Sequence, residues 1–285
     1  MNNMKRYFGC HVSVAGGLVN GLKNGQALGI NAIQIHPTPP QRWNLKPFSD
    51  GYEDEFLNFL PSSGIEKVFF HAIYLINLAS LDQEKKDKAI ISLRYYLELM
   101  DRIDGAGVVF HVGSNKDQEN DMAGFKQAAE AINEVLKEIP KKSKLLLEVS
   151  AGSGRVIGAS LEDLRIIADN VSKPEHIGFA LDTQHMWASG YDIKDNCEHV
   201  VEQIDSVFGF ENVHVIHLND SKTTLASHVD RHENLGQGNI TKEGLKNFIN
   251  HPKIKSIPLI LETPAMGSIE TAKEEVAVLR EMVEE

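Results

Sequence analysis

Cysteine is scarce in this chain: two residues, Cys10 and Cys197, stand among 285 and no CxxC spacing occurs. That excludes a disulfide framework and a zinc ribbon, and it points to a reducing cytoplasm with both residues as ordinary buried thiols. No window approaches the ~18 apolar residues of a membrane span, and the start, MNNMKRYFGC, lacks the apolar stretch of a signal peptide. A soluble intracellular protein without a membrane partner is expected. Basic charge is also short. With 29 Lys and Arg against 40 Asp and Glu, the net charge is −11, which argues against nucleic-acid binding through a broadly basic surface but leaves room for a local cationic site. No low-complexity or Pro/Gly/Ser-rich stretch separates two halves, so residues 1–285 read as one domain.

What the chain does have is a period. Apolar runs recur at Tyr7–His11, Ala32–His36, Lys67–His71, Val108–Val112, Lys144–Val149, Ile177–Asp182, Val213–Leu218 and Pro258–Glu262, with starts 25 to 45 residues apart. Near-continuous apolar character such as VFFH, VVFH, LLLE and LILE suits strands buried on both faces, as in a parallel sheet covered by helices. Helical spacing between them is clearest at Lys85–Ile103 and Gly124–Ile139, and Ser160 and Thr241 read as N-caps. Eight such units predict an α/β fold, a single (β/α)8 TIM barrel. The glycines of AGSGRVIG follow a GxGxxxG spacing after the fifth strand, so a tight rim turn is favoured over the dinucleotide loop of an open doubly wound sheet.

The chain also holds 12 histidines. His71, His111, Glu148, Asp182, His217 and Glu262 each lie at or near the carboxyl end of a predicted strand, the face where barrel enzymes build their sites. A carboxylate ending a buried apolar strand costs desolvation unless it is paired or metal-bound. His185 follows Asp182 by three residues, and Asp230 and His232 share the segment VDRH; such spacings place both side chains on one helical turn or on one side of an extended strand. Five imidazoles, four carboxylates and no thiolate suit zinc, or manganese and iron, and exceed what one tetrahedral ion uses. Three divalent ions would leave a net charge of about +2 before hydroxide binds, a cationic pocket able to hold a phosphodiester. His11 reads as an orienting partner of a ligand; His176, His199, His214 and His251 have no such placement, and Trp43 and Trp187 read as packing residues.

From Tyr7 to Arg280 the chain resembles the endonuclease IV family of metal-dependent apurinic/apyrimidinic endonucleases. The motifs that carry the resemblance are GCHVSVAGG at 9–17, HAIYLINLA at 71–79, FHVGS at 110–114, LDTQHMWASGYD at 181–192, IHLNDSK at 216–222, VDRHENLGQGNI at 229–240 and PLILETP at 258–264. The resemblance implies a TIM barrel in which His71, His111 and Glu148 hold one zinc. Glu148 bridges to a second held also by Asp182, His217 and Glu262, and His185, Asp230 and His232 hold the third. Part of the metal content could be Mn2+ or Fe2+. The implied activity is that of a zinc-dependent deoxyribonuclease IV of the phage-T4-induced type. Its substrate is double-stranded DNA with abasic sites or blocked 3′ ends, cut 5′ to the lesion to leave a 3′-hydroxyl and a 5′-deoxyribose phosphate.

Within that reading Glu148 is the bridge and a proton acceptor, and Glu262 is a ligand that orients the nucleophile. Tyr74 and Leu75 push into the duplex beside the lesion, and a basic side chain enters from the loop after strand two, where Arg42 is the candidate. No obligate protein partner is evident. Some positions depart from the family pattern: Pro37, Pro39 and Pro40 in that loop, Val149 after the bridging glutamate, and Ala226 where a glycine is usual, so that any positive φ at Ala226 is strained. None removes a ligand. The competing reading is a xylose isomerase-like sugar isomerase or epimerase, which would use only Glu148, Asp182, His217 and Glu262.

Overall fold

The computed structural model describes residues 5–139 and 143–284. Residues 1–4, on which part of the expectation of a chain start without a leader rests, lie outside the described residues. Eight strands close a barrel: β1 (Phe8–His11), β2 (Ala32–Ile35), β3 (Lys67–His71), β4 (Gly107–Phe110), β5 (Leu145–Glu148), β6 (Ile177–Asp182), β7 (Val213–His217) and β10 (Leu259–Leu261). Every neighbouring pair is parallel, and β10 returns to β1 through Phe8 opposite Leu259. Helices follow the strands and cover the outside. Among the described residues no helix is long and apolar enough to cross a membrane.

Period-two geometry explains why the strands read as unbroken apolar runs. Alternate residues face the barrel interior and the helices, and both environments are dry. Ala32, Phe69, Val109, Leu146, Ala180, Val215 and Ile260, from seven strands, pack into a cluster of their own. Their outward neighbours, among them Ile33, Phe70, Val108, Leu147, Phe179, Ile216 and Leu261, join the larger core shared with the helices.

Helix ends follow caps rather than apolar spacing. The helix expected at Lys85–Ile103 spans Gln83–Arg102, because the Asp82 carboxylate accepts the Lys85 N–H at 3.2 Å. The helix expected from Gly124 spans Asp121–Leu136, with Asn120 Oδ1 accepting the Ala123 N–H at 2.9 Å. Ser160 caps as expected, its hydroxyl accepting from Glu162 N–H at 3.1 Å. Thr241 is the first residue of its helix, at φ 74°, and its Oγ1 lies 3.4 Å from the Gly244 N–H.

Gly152, Gly154 and Gly158 all adopt positive φ, which fits the rim-turn reading of that segment. Ala226 has φ 56°, the strained value anticipated where a glycine is usual. Cys10 is buried, and burial pushes its thiol up to about 12, whereas Cys197 is only half-buried, a correction to its reading as a buried thiol.

Candidate metal centre

The inward cluster predicts the site above it. Two residues further along each of its seven strands, and therefore on the same inward side, stand Gln34, His71, His111, Glu148, Asp182, His217 and Glu262. Six of these are the strand-end residues singled out in the sequence. Glu148, Asp182 and His217 are fully buried. The remaining three come from segments beyond the barrel strands. Asp182 caps the short helix Thr183–Ala188, its Oδ1 accepting the His185 N–H at 2.9 Å, which seats His185 over the barrel. Asp230 and His232 enter on a return segment that pairs β9 (His232–Glu233) antiparallel with β8 (Asp220–Ser221), a two-residue hairpin not foreseen.

Donor atoms converge in three groups: His71, His111 and Glu148; Glu148, Asp182, His217 and Glu262; and Asp182, His185 and His232. Glu148 belongs to two of them through different oxygens. Its Oε2 lies 3.1 Å from His71 Nε2 and 3.3 Å from His111 Nε2, while Oε1 lies 2.8 Å from His217 Nδ1. His217 Nδ1 is also 3.3 Å from Glu262 Oε2 and 3.9 Å from Asp182 Oδ2. Asp182 is likewise shared, with Oδ2 3.7 Å from His232 Nε2. Asp230, expected in the third group, flanks it at 3.5 Å from His185 Nε2 and 3.4 Å from His232 Nε2. Two ligands of one tetrahedral zinc stand about 3.3 Å apart, so most of these separations are those of atoms sharing an ion.

The outer nitrogens sharpen this assignment. His71 Nδ1 meets the Ala72 carbonyl at 2.8 Å, His185 Nδ1 the Val149 carbonyl at 2.9 Å and His232 Nδ1 the Glu262 carbonyl at 3.1 Å. A carbonyl only accepts, so each Nδ1 carries the proton and, in the neutral ring, each Nε2 is a lone pair. The Nε2 lone pairs of His185 and His232 then face each other at 3.5 Å, and that of His71 faces a carboxylate oxygen. Acceptors so opposed need a proton or a cation between them. The residues fit divalent metal, with these three rings oriented from behind.

Two of the orienting partners escaped sequence reasoning. Gln34 is fully buried; its Oε1 accepts from His217 Nε2–H at 2.8 Å and its amide donates to Glu262 Oε1 at 2.5 Å. Asn219 donates to Asp182 Oδ2 at 2.7 Å and accepts the Glu262 N–H at 3.0 Å. The signal for Gln34 was available, since it stands two residues beyond the inward Ala32. His11 does take the expected orienting position, with Nδ1 3.2 Å from Glu262 Oε1. His36 was passed over as well, although its ring packs 4.4 Å from that of His11 and lines the cleft.

Electrostatics in the metal-free ensemble are those of paired ions. Burial opposes charge on His217, but Glu262, Glu148 and Asp182 push it from 6.5 to about 9. Burial is likewise outweighed at His71, raised by Glu148, and at His185, raised by Asp182 and Asp230. The same pairs hold Glu148 and Glu262 well below the usual carboxylate range against burial. A raised folded-state value stabilises fully below the unfolded one and is lost as pH climbs through the folded one. Metal-free protein is therefore expected to lose stability between pH 6.5 and about 9, by on the order of 3 kcal/mol from His217. Thermal melts in excess EDTA across that window check this; a flat or rising Tm contradicts it.

A cleft of about 850 Å³ opens above the three groups and reaches Pro37, Pro39, Pro40 and Tyr74. The proline loop is pinned to its surroundings. Thr38 Oγ1 meets the Tyr96 hydroxyl at 2.5 Å, Arg42 N–H closes a turn on the Pro39 carbonyl at 3.0 Å, and Tyr74 N–H donates to the Pro40 carbonyl at 3.1 Å. Tyr74 and Leu75 are 65% and 40% exposed. Arg42 is exposed two residues beyond Pro40, which lines the cleft. Trp187 is buried, as read, with Nε1 donating to the Thr223 carbonyl at 2.9 Å, and Trp43 packs on the core.

Residues 22–282 match the family model described as xylose isomerase-like TIM barrel. A relative from Halothermothrix orenii named "Probable endonuclease 4" is 36% identical over 274 residues, 95% of this chain and 98% of the relative. One of the same name from Geotalea daltonii is 35% identical and covers 99% of this chain and 100% of its own. Among solved structures, endonuclease IV from Thermus thermophilus superposes with a TM-score of 0.86 at 32% identity over 98% of both chains. A D-tagatose 3-epimerase-like protein, 17% identical with a TM-score of 0.71 over 97% of this chain and 96% of its own, shares the fold alone.

Proposed function

Since the chain belongs to the endonuclease IV family of xylose isomerase-like TIM barrels, we propose that it hydrolyses the phosphodiester 5′ to abasic sites in duplex DNA. The products are a 3′-hydroxyl and a 5′-deoxyribose phosphate, with trimming of blocked 3′ ends as a second use of the same site. The observation that carries this reading is the convergence of eight donor residues flanked by Asp230, with Glu148 presenting its two oxygens to two different groups. Three ions per chain, mainly zinc with Mn2+ or Fe2+ in part, are the content we assign to it.

In this reading His71, His111 and Glu148 would hold the first ion, Asp182, His217 and Glu262 with Glu148 the second, and His185, Asp230 and His232 the third. Bound divalent metals supply acidified water as a nucleophile near neutral pH and Lewis-acid stabilisation of charge on phosphate oxygens. Glu148, whose two oxygens face different donor groups, would hold both the first and the second ion and would serve as a proton acceptor. Glu262, steadied through Oε1 by the Gln34 amide, fixes the direction of attack with its other oxygen. Tyr74 lines the cleft and, with the exposed Leu75 and Arg42, would receive the duplex. One barrel domain in the cytoplasm, working without an obligate protein partner, suffices for this.

An isomerase or epimerase would need only Glu148, Asp182, His217 and Glu262 and has no use for the other five donors. Protein purified without chelator is expected to hold close to three transition-metal ions per chain, to cut an abasic duplex, and to lose that cutting in EDTA. Elemental analysis of fully active enzyme giving one ion would sink the three-metal assignment. No cutting of abasic duplex by three-metal protein would sink the proposed reaction.

A further inference from the structure

Asp220 is fully buried one residue beyond Asn219, and no metal-donor group includes it. Its carboxylate instead takes four backbone N–H groups. Oδ1 accepts from Ser221 at 2.8 Å and Ile240 at 3.0 Å, and Oδ2 accepts from Gly236 and Gly238, each at 3.0 Å. The donors come from both ends of the segment 221–240, so one side chain ties the loop's departure to its return. That loop carries Asp230 and His232. Its ends are also joined by Lys222 N–H on the Arg231 carbonyl at 3.0 Å and Asn239 N–H on the Ser221 carbonyl at 2.8 Å. Those are single neutral bonds, whereas charge-assisted bonds to a carboxylate are about twice as strong. The packing admits no bulk on the far side of the clasp: a Cβ on Gly238 would overlap the Ser221 carbonyl oxygen and stand 2.5 Å from Asp220 Oδ1.

We propose that Asp220 is a positioning residue for the third ion: by gathering both ends of the loop 221–240 it fixes where Asp230 and His232 meet His185. The assignment rests on the three-ion reading above. It follows from the geometry because His185 sits on a helix capped by Asp182, and the first two groups sit on barrel strands or directly beyond them; only the third draws on a loop. Loosening the clasp therefore acts on one ion and leaves the others.

The test is metal content and affinity in Asp220→Asn. Whichever way the new amide faces, its NH2 meets N–H groups with nothing to accept, so at least one end of the loop is released. The expected result is retention of two ions, with the third bound ten- to a hundred-fold more weakly, the range for partners that orient ligands. Adding His185→Ala to Asp220→Asn should cost no further ion, which identifies the one lost. Gly238→Ala, which wedges the clasp while keeping its charge, should reproduce the selective loss. Three ions held with wild-type affinity in Asp220→Asn would overturn the assignment. Joint weakening of all three in both variants would overturn it too, since that is what a purely structural residue gives. A wild-type protein that holds fewer than three ions fails the three-ion reading itself, a result legible before any variant is made.

Discussion

Glu262→Gln is expected to lower turnover on an abasic duplex by at least about 100-fold, the low end of general acid–base contributions, while the DNA still binds. The variant preserves shape and removes charge. In the wild type Glu262 Oε1 lies against the Gln34 amide and His11, and Oε2 points at His217 Nδ1 in the second donor group. The substituted amide would have to turn its carbonyl either to Gln34 or to the metal-facing side. In the first case its NH2 meets the group that should be held by an anion; in the second, two amide NH2 groups oppose each other. Either way the second donor group loses an oxyanion beside the attacking oxygen, which is worth most in a site sheltered from water. Binding of DNA does not pass through this oxygen, so affinity should change little, and the loss should appear in kcat rather than KM. Wild-type turnover with metals retained would remove Glu262 from the mechanism.

Much of that site was legible in the sequence because parallel strands convert spacing into direction. Once Phe69, Leu146, Ala180, Val215 and Ile260 are inward, the residues two further on must be inward too, and they are His71, Glu148, Asp182, His217 and Glu262. The orienting groups were less visible. Gln34 obeys the same rule but is neither charged nor a common ligand, so nothing in its type drew attention. Asp220 could not be read at all, since its value depends on N–H groups up to 20 residues away being folded back onto it. The β8 and β9 hairpin was missed for a related reason: strands of two residues are too short to show a period. Helix starts moved by two or three residues because Asp82 and Asn120 cap outside the apolar pattern.

The rim of the cleft, where Tyr74 meets the proline loop, yields the second large effect. Tyr74 is held by its backbone on Pro40 and by its ring edge-on to His36 at 5.5 Å, yet it remains 65% exposed beside a 40% exposed Leu75. Exposed apolar side chains fixed at the mouth of a polar site suit a wedge. An abasic nucleotide has no base to unpair, so a wedge opens damaged duplex at less cost than intact duplex and selects through deformability. Tyr74→Ala with Leu75→Ala is therefore expected to narrow the affinity ratio of abasic over undamaged duplex by about tenfold or more, the scale of one lost aromatic stack. Equal weakening on both duplexes would contradict the wedge. Arg42 should behave differently. It stands in the turn closed on Pro39, exposed and next to Trp43, which packs on the core. The expectation is that it meets a phosphate rather than the base stack. Arg42→Ala should weaken binding to both duplexes and reduce the salt slope by about one contact. A loss confined to abasic DNA with an unchanged salt slope would instead make Arg42 the intercalating residue, and the prolines would then be what aims it into the helix.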